Sequence, residues 1–325
     1  MEIVLWRHAI IRFLEEHQMA IDDSMELDNF ETLTRETIPR PGEIPKISGF
    51  DIYGESIPIR GPVGGDHIIY LDFKNRYDLD EKIKEVSQDE RFTPQTKDRI
   101  ITNIHSLKTK AGLLIADVSG HYKTDFSFAS RLHDSFLIGV LYEIEGRGDV
   151  TPNLFWKLNT RLYNSSSFDK YITMIYGEIS EAGAFKFISA GHPFPLVYSH
   201  KQERLLPAAA SGMEPSPPLA AFPSSGPDLE RNMFRSGFSS KFKVNHLTIT
   251  EPGDILLLYT DGVIEHTNAE GKLFYDSESG GELEKTIHRN RDLSSIDLYA
   301  RIKESLLKFA EPQDDVSYIL IKKVE

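Results

Sequence analysis

Three stretches of this chain share one form: a run of apolar, strand-favouring residues that meets an aspartate beside a small or turn-forming residue. They are Leu113-Leu114-Ile115-Ala116-Asp117-Val118-Ser119-Gly120, Ile255-Leu256-Leu257-Leu258-Tyr259-Thr260-Asp261-Gly262 and Asp314-Asp315-Val316-Ser317-Tyr318-Ile319-Leu320-Ile321. A fourth, Gly64-Gly65-Asp66, precedes Ile68-Ile69-Tyr70-Leu71. A rigid sheet can hold carboxylates close together at its strand ends, and carboxylates without counter-charge repel, so their convergence calls for divalent cations. Any one Asp beside Gly is also an ordinary turn. The set of four, each adjoining an apolar run, points instead to a metal-dependent hydrolase.

The remaining composition narrows the choice of cation and partner. Cysteine is absent from all 325 residues, which removes a disulfide framework, a thiol nucleophile and any thiolate metal site. With Asp66, Asp117, Asp261 and Asp314 as oxygen donors, the hard cations Mg²⁺ or Mn²⁺ are the natural choice. Two such ions about 3.5 to 4 Å apart activate a water and stabilise in-line displacement at phosphorus, which suits a phosphate ester. A formal net charge of −13 with no dense Lys/Arg block argues against nucleic acid or an anionic membrane as partner. No stretch reaches the roughly 18 to 20 apolar residues of a membrane span, and the first residues lack the form of a signal peptide, so the expected location is the cytoplasm.

Along the chain, Trp6, Ile10, Phe13 and Leu14 recur at helical spacing among polar residues, which predicts an amphipathic helical lead-in over 1–38, ended by Pro39-Arg40-Pro41-Gly42. From Gly49 the pattern turns to strands: 50–57 and 67–73 read as a hairpin-like pair across the Gly-rich turn. Residues 76–110 read as a helical insertion, and 128–138 and 152–162 as helices, the latter with Thr151 or Asp149 as cap and Pro152 in its first turn. Strands follow at 171–179, 184–189, 195–198, 245–250, 255–259 and 316–322, with a helix at 296–309. Residues 206–240, rich in Pro, Ser and Gly, read as a long surface loop or flap. The order predicts an α+β fold of antiparallel sheets with helices on the outer faces.

These pieces stand in a familiar order. Gly64-Gly65-Asp66, Ile115-Ala116-Asp117-Val118-Ser119-Gly120-His121, Leu158-Asn159-Thr160-Arg161-Leu162, Tyr171-Ile172-Thr173-Met174, Ser189-Ala190-Gly191-His192-Pro193, Pro252-Gly253-Asp254, Tyr259-Thr260-Asp261-Gly262-Val263-Ile264-Glu265 and Asp314-Asp315-Val316-Ser317 together span about 45–323. The chain thereby resembles the SpoIIE/RsbU-type branch of the metal-dependent serine/threonine phosphatases, the PPM or type 2C class.

The resemblance implies a phosphatase domain over 39–325, built as a sandwich of two antiparallel sheets flanked by helices (α-β-β-α) with two metals at one end. It implies that Asp117 bridges both ions and that the carbonyl of Val118 ligates one of them. Asp261 and Asp314 complete the ion nearer the activated water, Asp66 binds the other, and Asp315 is a turn residue or outer support. The catalytic set is Asp117, Asp261 and Asp314, acting through that water. His121 is either the acid that protonates the leaving alkoxide or a loop-holding histidine. His192 and Asp254 read as structural, and Arg131 as a solvated charge. No other basic residue stands in an evident phosphate-clamping position.

Three departures from the family pattern stand out: Ile69 where a second aspartate is usual, Tyr122 where glycine is usual, and Ser317 where threonine is usual. Ile69 implies a coordination position left to water, and Tyr122 a crowded entrance. The substrate implied is a phosphorylated bacterial signalling protein, an anti-sigma-factor antagonist by family analogy. The alternatives are a PPM-fold binding module with weak or lost turnover, and a hydrolase of small phosphoesters. The N-terminal helix either covers a surface of the domain or meets a regulatory protein or a second copy of the chain.

Overall fold

The central strands are apolar on both faces because both faces are covered, which is why their sequences run continuously apolar instead of alternating. The computed structural model of the protein describes residues 39, 42–59, 64–119, 123–165, 170–208, 213–225 and 241–325. The expected lead-in over 1–38, and His121 and Tyr122, lie outside the described residues.

The strands are β1 (Phe50–Ile57), β2 (His67–Asp72), β3 (Lys110–Val118), β4 (Ile172–Ser180), β5 (Ala184–Ala190), β6 (Leu196–Ser199), β7 (Arg204–Pro207), β8 (Asn245–Thr248), β9 (Ile255–Tyr259) and β10 (Val316–Lys323). They form two five-stranded antiparallel sheets, ordered β1-β10-β9-β6-β7 and β2-β3-β4-β5-β8. The described helices are α1 (Phe73–Arg76), α2 (Leu79–Gln88), α3 (Pro94–Leu107), α4 (Lys123–Arg147), α5 (Pro152–Tyr163), α6 (Asp261–Ile264), α7 (Gly281–Asn290) and α8 (Ser295–Phe309). None of them is long and apolar enough to cross a membrane.

Strand alternation sorts the apolar side chains into three layers. Ile68, Tyr70, Leu113, Ile115, Leu256, Leu258, Ile319 and Ile321 fill the space between the sheets. Ile69, Leu71, Leu114 and Met174 face the other way, against Ile100 and Ile104 of α3, the i, i+4 stripe Phe128, Leu132, Phe136, Val140 and Ile144 of α4, and Phe155 and Leu158 of α5. Leu257, Tyr259, Tyr318 and Leu320 meet Leu283 and Ile287 of α7 and Leu298, Ile302 and Leu306 of α8. Each such side chain taken from water contributes about 1.5 to 3 kcal/mol. The expected α-β-β-α sandwich is therefore present. Across its midplane the hydroxyl of Tyr70 in β2 donates to the carbonyl of Gly54 in β1 at 2.9 Å.

Local signals place the helices. Asp78, Thr93 and Ser294 cap α2, α3 and α8 through side-chain bonds to Glu81 N, Thr96 N and Asp297 N. Thr151 is the residue before α5, as expected, but its hydroxyl turns to Glu143 instead of to the helix.

Two expectations are corrected. β1 and β2 are not a hairpin: β1 pairs with β10 and β2 with β3, so the Gly-rich segment crosses from one sheet to the other. Asp315 holds both ends of that crossing, accepting from Ile59 N at 2.8 Å and Gly65 N at 2.7 Å. The flap over 206–240 is also not a surface loop throughout. Pro207 ends β7, and Ser216 and Leu219 are fully buried because their backbones bridge to Ala190 and Ile172 at the end of the β4–β5 sheet.

Candidate metal centre

Register brings the aspartates to one end of the sandwich. β2 and β3 pair His67 with Ala116, which sets Asp66, one residue before the strand, beside Asp117. In the other sheet Tyr318 pairs with Tyr259, so Asp261, two residues past Tyr259, lies next to the Asp314-Asp315 turn that leads into β10. Gly64 and Gly65 permit the close crossing: a Cβ on Gly64 would overlap the Asp315 carboxylate, and one on Gly65 would come within 3.2 Å of the Val118 carbonyl oxygen. The same contact shows that the Val118 carbonyl faces the Gly-Gly-Asp turn.

Hydrogen bonds fix the acids individually. Thr260, fully buried, donates its hydroxyl to Asp66 Oδ2 at 2.8 Å and accepts the Ser317 backbone N–H at 3.0 Å. Asp314 Oδ1 accepts the N–H of Asp315 at 2.8 Å, a local turn that orients its carboxylate. Burial raises the Asp66 pKa well above the usual carboxylate range, and the charge of Asp117 raises it further; the Thr260 hydroxyl opposes the shift. Asp261 is raised by burial, then by Asp314 and Glu265. Each sheet thus presents an acid held beside another acid, and Thr260 links the two groups.

The family model described as Stage II sporulation protein E (SpoIIE) matches residues 108–324, about two thirds of the chain. The chain belongs to the SpoIIE family. Similar solved structures include the RsbU and RsbW domains of Rv1364c from Mycobacterium tuberculosis, at 20% identity and a TM-score of 0.58 over 88% of this chain and 64% of that one. The SiaA-PP2C domain of Pseudomonas aeruginosa matches at 11% identity and a TM-score of 0.58, over 94% of this chain and 98% of that one. The PP2C phosphatase domain with a fragment of the regulatory domain of SpoIIE from Bacillus subtilis matches at 11% and 0.53, over 85% and 64%. This chain therefore spans about two thirds of the length of the first and third, and at these identities the likeness establishes the PP2C fold. No curated protein matches the chain.

Within this SpoIIE-family domain the candidate donors, four carboxylates and the Val118 carbonyl with no thiolate, have the chemistry that a hard divalent cation takes. They stand as pairs: among the described residues no three His, Asp or Glu side chains are grouped closely enough to hold one ion.

Ile69 departs from its expected part. It lies in the helix-facing core, 2% exposed, on the face of β2 opposite Ile68 and the inter-sheet space, so the position opens no gap between the sheets. Asp72, the other acid nearby, caps α1 by accepting from Asn75 N at 3.2 Å. Asp254 accepts the N–H of His200 at 2.8 Å and is the turn residue expected. Arg131 is exposed and donates to the Ser165 carbonyl.

His192 does more than terminate a turn. Its Nδ1 is 2.9 Å from the Thr173 hydroxyl and its Nε2 is 2.9 Å from the Tyr259 carbonyl, so it joins the sheets beside the acids. Burial pushes its pKa down to about 4, which keeps the ring neutral. Two residues at this end escaped the sequence reasoning as site elements: Thr260, and Lys170, whose amino group donates to the Ser119 carbonyl two residues past Asp117. A hydroxyl directly adjoining a strand-end aspartate was the available signal for Thr260. For Lys170 there was none.

Proposed function

We propose that this SpoIIE-family chain hydrolyses phosphoserine or phosphothreonine on a bacterial signalling protein, with two divalent cations, Mn²⁺ or Mg²⁺, held by Asp66, Asp117, the Val118 carbonyl, Asp261 and Asp314. The observation that carries the reading is the delivery of Asp66 and Asp117 by one sheet and of Asp261 and Asp314 by the other to the same end of a PP2C fold. When bound, such cations supply Lewis acidity at the phosphoryl group and a nucleophilic water. The chain's own part is to bring the acids together and orient them. Thr260, itself held by the Ser317 N–H, bonds Asp66, the Asp315 N–H orients Asp314, and Asp315 pins the crossing that presents Asp66. Lys170, bonded to the Ser119 carbonyl, adds positive charge beyond the strand end that bears Asp117, where we place the approach of a phosphate. His121, two residues past Ser119, is the proposed donor to the leaving alkoxide. An anti-sigma-factor antagonist is the substrate class proposed, by the family resemblance of the motifs.

The test is hydrolysis of a phosphoserine peptide and of p-nitrophenyl phosphate with Mn²⁺. Turnover that EDTA and Asp117→Ala both abolish supports the reading; cleavage of the small ester without any phosphopeptide supports a small-phosphoester hydrolase instead. One observation favours a second reading, a PP2C-fold module with weak or no turnover: the acids stand as pairs, not as a closed cluster. Binding of a phosphoprotein with no hydrolysis under Mn²⁺ or Mg²⁺ would establish it.

A further inference from the structure

We propose that the Tyr259–Thr260 peptide is the positioning element of the acid site, with Thr260 setting Asp66 and the Thr173–His192 pair setting the peptide itself. The proposal rests on the metal-centre reading and assigns parts to residues that reading leaves unused.

Proton donors and acceptors fix the direction of every bond. The Ser317 N–H can only donate, so Thr260 Oγ1 accepts it at 3.0 Å. The hydroxyl's own proton then has two candidates, Asp66 Oδ2 at 2.8 Å and the Ser317 carbonyl at 3.4 Å, and it goes to the nearer acceptor. On the other side, the Tyr259 carbonyl can only accept, so His192 carries its proton on Nε2. Its Nδ1 is then the acceptor and takes the Thr173 hydroxyl proton.

Thr173 is the register partner of Asp117. A continuous path therefore runs from the neighbour of Asp117 in one sheet through His192 to the Tyr259 carbonyl in the other, and back through Thr260 to Asp66. Thr260 and Ser317 are fully buried and His192 is 5% exposed, so water does not compete for the Thr260 bonds or for the His192–Tyr259 bond, while Thr173, at the start of the path, is half-buried. The Thr260 hydroxyl bonds one oxygen of Asp66 and so fixes the direction in which that carboxyl group points. This is the outer-support role that tunes ligands at metal centres, where loss of one partner weakens binding about 10- to 100-fold.

The test uses the full chain with Thr260→Val, Thr260→Ser and Thr173→Val. Mn²⁺ affinity is read by titration calorimetry, folding by thermal unfolding in EDTA, and kcat and KM on a phosphoserine peptide across a Mn²⁺ series. Thr260→Val is expected to weaken Mn²⁺ binding about 10- to 100-fold, with KM for peptide unchanged and kcat restored by excess Mn²⁺. Thr260→Ser, which keeps the hydroxyl, stays within about threefold of the wild type. Thr173→Val, at the far end of the path, weakens binding about three- to tenfold and carries the test should Thr260→Val not fold. Wild-type Mn²⁺ affinity in a folded Thr260→Val or Thr173→Val, or a serine variant as weak as valine, overturns the proposal while leaving the metal-centre reading standing. No Mn²⁺ uptake by the wild type overturns both.

Discussion

Asp66→Asn should stabilise the metal-free protein and weaken the metal-loaded one. The amide keeps an oxygen that can accept from Thr260 and removes the charge that faces Asp117 in a buried setting. Relief of such a like-charge contact contributes about 0.5 to 2 kcal/mol. For a unit running from Pro39 to Glu325, about 290 residues at ~2.1 cal/mol/K each, 1 kcal/mol moves Tm by about 2 °C, so the variant should melt about 1 to 3 °C higher in EDTA. Mn²⁺ at about 100 times its Kd adds ~2.7 kcal/mol, or about 4 to 5 °C, to the wild type and less to the variant, so the order of the two Tm values reverses.

The pH dependence has a definite sign. Folded Asp66 keeps its proton to higher pH than the unfolded chain does, so its stability term is complete below the ordinary carboxylate pKa and is lost as pH rises through the folded value. The advantage of the variant in EDTA should therefore vanish near pH 4 and grow toward neutrality. Calorimetry of both proteins with EDTA and with Mn²⁺ decides it. A variant that melts lower in EDTA would refute the reasoning, because Asp66 would then be an acid whose ionised form the fold needs.

Other expectations follow from single contacts. His192, buried and neutral with its pKa at about 4, takes up a proton in the unfolded chain first, so stability is present above pH 6.5 and lost as pH falls toward 4; about 3 kcal/mol of that loss should disappear in His192→Gln, read by denaturant titration across the window. Gly177 in β4 faces the buried Phe185 ring, and the methyl of Gly177→Ala would collide with it; a loss of about 1 to 3 kcal/mol in urea unfolding is expected. Lys170→Met should raise KM for a phosphopeptide about three- to tenfold with kcat little changed, as removal of a charge that acts on binding alone requires.

Much of the candidate site was legible because its code is local: an apolar run needs a sheet, and an aspartate at the end of the run needs a reason to be there. Asp66, Asp117, Asp261 and Asp314 were found on that basis, and antiparallel register brings them to one end. What escaped depends on partners distant in sequence. Phe50–Ile57 looks like half of a hairpin until Val316–Lys323 claims it as a partner. Ile69 looks like a missing ligand until alternation turns it toward the helices. Ser216 and Leu219, amid prolines that suggest a loop, are buried by backbone bridges to Ala190 and Ile172. α7 went unnoticed because only Leu283, Thr286 and Ile287 of its ten residues are buried. His192 and Thr260 each act on a group in the opposite sheet, a relation that no spacing along the chain encodes.

The central claim is that acids from both sheets share divalent cations. Anomalous scattering from crystals soaked in Mn²⁺ tests it most directly. The account predicts manganese peaks bounded by Asp66 and Asp117 on one side and Asp261 and Asp314 on the other, with the Val118 carbonyl among the ligands. Absence of a peak there, or manganese confined to surface carboxylates, would contradict it.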